Sequence, residues 1–71
     1  MQYKTSPFDF PVPRIVLNTM EDAEAALERE GSELGSYMNW LDTLDNVCKE
    51  CYVTGAITKE QWHTIMERYW G

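Results

Sequence analysis

The sequence predicts a small all-α protein, either a helical hairpin or a three-helix bundle, in one domain of 71 residues. Three observations predict this class: apolar residues recur at helical spacing, helix stop and start signals cluster around Gly55, and every proline lies within the first 13 residues. The composition, 44% hydrophobic and 13% aromatic, is typical of a globular domain and too apolar for a disordered tail.

Residues 1–18 are predicted to form an extended N-terminal arm. Prolines fix φ and remove backbone donors, so the prolines of this segment oppose a regular helix: Pro7, Pro11 and Pro13. Phe8 and Phe10 alternate with other residues, which places both rings on one side of an extended chain. We expect these rings to lie on the helices. A short strand over 14–17, or a polyproline-type ligand for another protein, is the alternative.

An acidic helix is predicted from about residue 20 to about residue 53. Asn18 or Thr19 would cap it, with Glu21 and Asp22 in its first turn. Its apolar residues follow a seven-residue repeat: Met20, Leu27, Leu34, Leu41 and Cys48, with Ala23, Tyr37, Leu44 and Cys51 in the complementary positions. This register favours one continuous helix. A break at 31–35 remains the alternative, because the glycines and serines there form helices poorly.

A tight turn at Gly55–Thr58 is predicted to join this helix to a last helix over about 59–70. Gly55 suits the left-handed position that follows a helix end. Thr58 and Gln61 have the spacing of a capping box, and Ile57 and Trp62 that of a hydrophobic staple. The last helix has a wide apolar stripe: Trp62, Ile65, Met66, Tyr69 and Trp70.

The hairpin resembles the short C-terminal domain family found at the ends of many bacterial proteins. The matching residues are Gly55, Ile57, Thr58, Glu60, Gln61 and Trp62, with Leu41 and Leu44 upstream. The resemblance covers about residues 41–70 and implies an oligomerising or binding hairpin without catalytic residues. The chain departs from the family in having a longer, acidic first helix and a second helix that is not basic.

The charge of the chain is concentrated in its middle. The net charge is −6, and residues 21–50 hold nine acids against two bases. This argues against direct binding to nucleic acid or to an anionic membrane, both of which need positive charge. Neither a signal peptide nor a membrane span is evident, so we expect a cytoplasmic protein with reduced cysteines.

Cys48, Cys51 and His63 are the residues that metal or redox chemistry would use. A structural zinc site needs four ligands, and redox-active cysteine pairs lie at a helix N-terminus rather than near its end. Both cysteines also fall in the heptad register, which favours small core residues. We therefore predict no enzyme activity, no cofactor and no metal.

The predicted function is protein–protein interaction, beginning with self-association that completes the fold. Two helices cannot enclose a core, so the heptad and aromatic positions need a partner. The candidate interface residues are Trp40, Leu34, Leu41, Trp62, Tyr69 and Trp70. The alternative is a phage or mobile-element type inhibitor of a nucleic-acid-binding protein, with a basic protein as partner and an acidic face that imitates phosphates: Glu21, Glu24, Glu28, Asp42 and Asp45.

Overall fold

The described part of the chain forms three α-helices and no strand. The structure is a computed structural model that describes Tyr3, residues 5–30 and residues 35–70, without the side chains of residues 35, 36 and 70. The helices are α1 (Arg14–Glu30), α2 (Gly35–Val53) and α3 (Lys59–Trp70). The predicted all-α class is confirmed, in its three-helix form.

α1 and α2 are two helices packed side by side, so the preferred single helix over 20–53 is wrong. Such a helix would be roughly 50 Å long at about 1.5 Å per residue, whereas the longest dimension of the molecule is 33 Å. The two helices are antiparallel: Ala23 clusters with Tyr37 and Leu41, while Val16 clusters with Cys48. Most of the predicted break, residues 31–34, lies outside the described residues.

α1 begins earlier than predicted, directly after the last proline. The Pro13 carbonyl accepts hydrogen bonds from the N–H groups of Val16 (3.0 Å) and Leu17 (3.1 Å). Proline excludes a helix before itself, but its fixed φ suits a helix start. The predicted extended arm therefore ends at Pro13, and residues 14–18 are helical.

The predicted cap at Asn18 or Thr19 is wrong for the same reason. Thr19 lies inside α1, where its hydroxyl donates a hydrogen bond to the carbonyl of Ile15 at 2.8 Å. Glu21 and Asp22 consequently lie beyond the first turn, which holds no acid. They do not complement the helix dipole there.

The turn between α2 and α3 has the predicted form. Gly55 has a φ of 84°, in the left-handed region. Its N–H donates to the carbonyl of Tyr52 (3.1 Å), and the N–H of Ala56 donates to the carbonyl of Cys51 (2.8 Å). These two bonds are the Schellman pattern, and they satisfy carbonyls that the helix end would otherwise leave unpaired.

The start of α3 is capped reciprocally, as the sequence predicts. The Thr58 N–H donates to Gln61 Oε1 at 2.9 Å, and the Gln61 N–H donates to Thr58 Oγ1 at 3.1 Å. Ile57 is buried in the main core cluster, and Trp62 packs against that cluster from α3. The joint therefore fixes which face of α3 meets the other helices.

The N-terminal arm lies against side chains of both α1 and α3. Among the described residues, no Cα atom of α1 lies within 8 Å of a Cα atom of α3. Tyr3, Phe8 and Phe10 of the arm pack instead against the main core cluster, with the two Phe ring centroids 5.3 Å apart. The expectation that the aromatic residues of the arm lie on the helices is confirmed.

Candidate functional site

The predicted heptad seam is largely the core of the single chain. These seam residues are buried: Met20, Ala23, Tyr37, Leu41, Leu44, Cys48 and Cys51. Among the described residues of the seam, Leu27 is the exception, with 37% of its surface exposed, and Leu34 lies outside the described residues. The seam residues of α1 and α2 face each other within one chain, so the seam does not depend on a second chain for burial.

The predicted interface residues have different environments. Leu41 is 1% exposed and lies in the core, so it does not contribute to an outer surface of this fold. Trp40 is half-buried against the cluster of Ala23, Tyr37 and Leu41. The side chains of Leu34 and Trp70 lie outside the described residues.

The other two predicted interface residues make contacts within the chain. The indole N–H of Trp62 donates to Asp45 Oδ1 at 3.0 Å, and its ring centroid lies 5.7 Å from that of Tyr52. Tyr69 packs against both core clusters, and its hydroxyl donates to Glu24 Oε2 at 3.4 Å. Each ring nevertheless keeps part of its surface exposed.

The acidic residues do not form one stripe, because α1 and α2 are separate helices. Glu24 is engaged at the junction of α1, α3 and the arm, where it accepts hydrogen bonds from Tyr3 and Tyr69 and lies 3.7 Å from Arg68 Nη2. Asp45 accepts the Trp62 hydrogen bond. The predicted acidic residues without such contacts among the described residues are Glu21, which is half-buried, and the exposed Glu28 and Asp42.

The junction at Glu24 brings together residues that no sequence motif links. Arg68 Nη2 also donates to the Tyr3 hydroxyl at 3.3 Å, and its guanidinium lies 6.0 Å from the Phe8 ring centroid. Burial, with the nearby charge of Glu24, raises the pKa of Tyr69. The hydroxyl therefore stays protonated and donates, and the junction ties three segments of the fold together.

The cysteines do not form a reactive pair. Cys48 and Cys51 are free thiols and buried. Burial raises the pKa of Cys48 from 9.0 to about 12, helped by Cys51 and Asp45, and burial also raises the pKa of Cys51. Since the thiolate is the nucleophile and the metal ligand, the raised pKa values make both thiols less nucleophilic at neutral pH than an exposed cysteine. His63 is exposed on α3, and the described residues hold no group of three potential metal ligands.

An open groove between the start of α1 and the outer side of α2 was not predicted. This α1–α2 groove has a volume of about 390 Å³, and its lining residues are Ile15, Thr43, Asn46, Val47, Glu50, Cys51 and Thr54. Ile15 is 58% exposed. A hollow adjoining it shares Asn46, Glu50 and Thr54 and adds Lys49 and Val53, of which Val53 is 73% exposed.

The sequence does not reveal the groove and its adjoining hollow, because their apolar residues lie at positions without a clear pattern. Ile15 lies in the segment that is predicted to be extended, Val47 lies outside the heptad register, and Val53 of the hollow ends a helix. The available signal was the spacing of residues 43, 47, 50 and 54, which share one face of a helix. What joins this face to Ile15 is the packing of α1 on α2.

Searches against protein-family models, curated proteins and solved structures found no match to this chain. The resemblance of the hairpin to the short C-terminal domain family is thus not supported by a family match, and the capping contacts around Gly55 account for it. Among the described residues, no helix combines the length and the apolar character that crossing a bilayer requires.

Proposed function

We propose that this protein acts by binding proteins, beginning with a second copy of itself, and that it has no catalytic activity. The observation that carries the proposal is the exposure of Ile15 (58%) and Val53 (73%) beside the α1–α2 groove. Exposed single apolar residues are ordinary, but a groove with apolar side chains and a polar rim is typical of an interaction site.

The packing of the chain changes where this self-association would occur. The heptad residues already contact one another within the chain, so a partner would bind other surfaces. The exposed Ile15 and Val53 lie in the first turn of α1 and on the outer side of α2. The half-buried rings of Trp40 and Trp62 supply additional aromatic surface, of the kind enriched at interfaces.

The small size of the chain is a thermodynamic reason to expect self-association. A domain of 71 residues buries only about 60–65% of the surface that its unfolded chain exposes, which limits the stability of its core. A partner that binds only the folded state raises the free energy of unfolding by mass action. Association would thus stabilise this fold.

Sedimentation equilibrium from low micromolar to millimolar concentration tests the proposal. We expect the weight-average mass to rise above the monomer mass of 8.3 kDa as concentration increases. Because the surface is acidic, the measurement belongs at physiological ionic strength, where repulsion between copies is screened over about 8 Å. A mass that stays at 8.3 kDa over the whole range would exclude self-association.

The second candidate function is inhibition of a basic, nucleic-acid-binding protein. It is favoured by the surface of α1, where Glu21, Asp22 and Glu28 are partly or fully exposed and residues 21–28 include no base. Carboxylates along a helix can imitate a phosphate backbone and attract proteins with positive grooves. As part of this proposal, the protein would lie in the cytoplasm and would originate in a phage or mobile element.

A competition experiment tests this candidate. The immobilised protein is exposed to lysate at low salt, and bound proteins are eluted with duplex DNA or with salt. We expect a basic partner that DNA displaces, and that a triple variant (Glu21→Gln, Asp22→Asn, Glu28→Gln) no longer retains. A partner that DNA does not displace would contradict phosphate imitation.

A further inference from the structure

We infer that the N-terminal arm is a strap: it holds the second half of α3 against α1, and the two segments open together while α1 and α2 stay paired. The strap is the described chain before α1, namely Tyr3 and residues 5–13, and the half-helix is residues 65–70. The inference concerns motion within one chain, so it does not depend on the proposed self-association.

α1 and α3 have little direct contact of their own. Among the described residues, no Cα atom of α1 lies within 8 Å of a Cα atom of α3. The polar contacts that link the two helices in this part of the chain all involve Glu24. Its carboxylate accepts a hydrogen bond from the Tyr69 hydroxyl at 3.4 Å and lies 3.7 Å from Arg68 Nη2. The link is therefore confined to the C-terminal end of α3.

The strap contacts both sides of this link at once. The Tyr3 hydroxyl donates a hydrogen bond to Glu24 Oε2 and accepts one from Arg68 Nη2 at 3.3 Å. The Arg68 guanidinium also lies 6.0 Å from the Phe8 ring centroid, within reach of cation–π attraction. Because release of the strap removes contacts of α3 along with its own, the two segments open as one unit.

The strap can open without breaking backbone hydrogen bonds to a helix. Among the described residues, no backbone–backbone hydrogen bond joins Tyr3 or residues 5–12 to the helices. The bonds that shape the strap are internal: Ser6 Oγ accepts from the Phe8 N–H at 3.1 Å and donates to the Phe10 carbonyl at 2.8 Å. Val12 is buried in the main core cluster and keeps the strap tethered.

α1 and α2 stay paired because their own side chains form the contact between them. Met20 of α1 clusters with Leu44 of α2, and Ala23 clusters with Leu41; all four side chains are buried. An opening that leaves such a core in place needs less free energy than global unfolding.

The released half of α3 does not remain a helix. α3 has 12 residues in all, and isolated helices of that length are marginal in water. Opening therefore unfolds residues 65–70 and uncovers Ile65, which is buried when the strap is closed, together with the packed sides of Met66 and Tyr69. The strap thus controls when this apolar surface meets solvent.

Native-state hydrogen exchange of the full chain, read by NMR, tests the inference. Where reclosing is faster than exchange, the rate at each amide is proportional to its opening constant. In the wild type we expect the amides of residues 66–69 to exchange faster than those of residues 44–48 in α2. Phe8→Ala weakens the closed state, and it should speed exchange of residues 66–69 at least roughly fivefold. Asp9→Ala, at the exposed neighbouring position, is the matched control and should leave these rates unchanged.

A substitution in α1 separates the strap opening from global unfolding. Ala26→Gly weakens α1, so it should speed exchange of residues 44–48, whose amides need global unfolding, by about fivefold. Residues 66–69 should keep their wild-type rates, because α1 stays helical when the strap opens. Exchange of residues 66–69 that ignores Phe8→Ala overturns the inference, since α3 then opens without the strap. Exchange there that follows Ala26→Gly also overturns it, since α3 then opens only with the whole protein.

The reverse coupling is tested from α3, at a residue without a contact to the strap. Glu67 is exposed, and Glu67→Gly weakens the α3 helix, whereas Glu67→Ala removes the same charge and keeps a good helix former. Chymotrypsin cleavage after Phe8, followed by mass spectrometry, reports the open strap when cleavage is slow. We expect cleavage to be about fivefold faster in Glu67→Gly than in Glu67→Ala. Equal rates would show that the strap opens independently of α3 and would overturn the inference.

Discussion

Arg68 Nη2 of α3 lies 3.7 Å from Glu24 Oε1 of α1. This ion pair joins two helices whose backbones do not contact each other. The Glu24 side chain is only 13% exposed, whereas that of Arg68 is 39% exposed. The pair is therefore more than a surface ion pair, because the carboxylate also accepts hydrogen bonds from Tyr3 and Tyr69. This junction holds the arm, α1 and α3 together.

We predict that Glu24→Ala lowers the free energy of unfolding by about 1–3 kcal/mol, because it leaves two tyrosine hydroxyls and a guanidinium without their acceptor. Arg68→Ala should cost less, about 1 kcal/mol, since the guanidinium is more exposed. Glu28→Ala, at an exposed position of the same helix, is the control and should change stability by less than about 0.5 kcal/mol. Urea denaturation measures all three, and equal effects of Glu24→Ala and Glu28→Ala would contradict a structural role for the junction.

We predict that the arm contributes to stability through its two phenylalanines. Phe8→Ala and Phe10→Ala each remove a half-buried ring that packs on the main core cluster, at an expected cost of about 1–2 kcal/mol. Asp9 lies between them and is exposed, so Asp9→Ala should have little effect. Thermal unfolding followed by circular dichroism would show this alternation. Three equal effects would mean that the arm does not pack on the helices.

The turn and the arm show which parts of this fold can be read from the sequence. The turn is encoded locally, since Gly55, Thr58 and Gln61 satisfy backbone groups within a few residues. The start of α1 differs from the prediction because Pro13 opposes a helix only before itself, and it favours a helix start when apolar residues follow at helical spacing. Local signals sufficed at the turn, where the hydrogen-bond partners are close in sequence and each residue has one evident role.

The long-range features needed the packing of the helices. The heptad register continues from Met20 to Cys48 because the two helices face the same core, not because they form one rod. The groove combines Ile15 of α1 with Val47 of α2, and the junction combines Tyr3 with Arg68. Neither set has a spacing that a sequence pattern would reveal.

We predict that Gly55→Ala destabilises the fold through the backbone alone. The residue has a φ of 84°, and a Cβ atom added there would meet no heavy atom within 4 Å. The expected cost is therefore the conformational penalty of about 1 kcal/mol for a residue with a Cβ in the left-handed region. Gly55→Asn should cost less, since asparagine tolerates that region better. A cost well above that penalty would indicate a steric clash that the structure does not contain.

We predict a loss of stability in alkaline solution that depends on Cys48. Burial raises the pKa of this thiol from 9.0 to about 12, so the folded state holds its proton more tightly than the unfolded state. The resulting stabilisation is complete below pH 9 and is lost as pH rises from 9 towards 12, by about 2 kcal/mol near pH 10.5. Urea denaturation at neutral pH and at about pH 10.5 measures the loss.

The control for this pH dependence is Cys48→Ala. The variant should be less stable at neutral pH, because it leaves a small cavity, but should lose less stability between neutral and alkaline pH. Cys51, Tyr37 and Tyr69, whose pKa values burial also raises, contribute the remaining loss in alkaline solution. The same alkaline loss in wild type and variant would contradict the raised pKa of Cys48.

The two cysteines also provide a test of the proposed self-association within one molecule. Cys51 lines the α1–α2 groove and is 8% exposed, whereas Cys48 is fully buried in the core. Since a second copy would cover the groove, we predict that alkylation of Cys51 by a maleimide slows as protein concentration rises through the dimer range. Cys48 should react only when the protein opens by unfolding, so the first-order rate of opening limits its alkylation. Mass spectrometry of peptides distinguishes the two sites. In Val53→Asp the Cys51 rate should no longer depend on concentration. A concentration dependence that is equal at both cysteines would mean that association stabilises the fold globally without covering the groove.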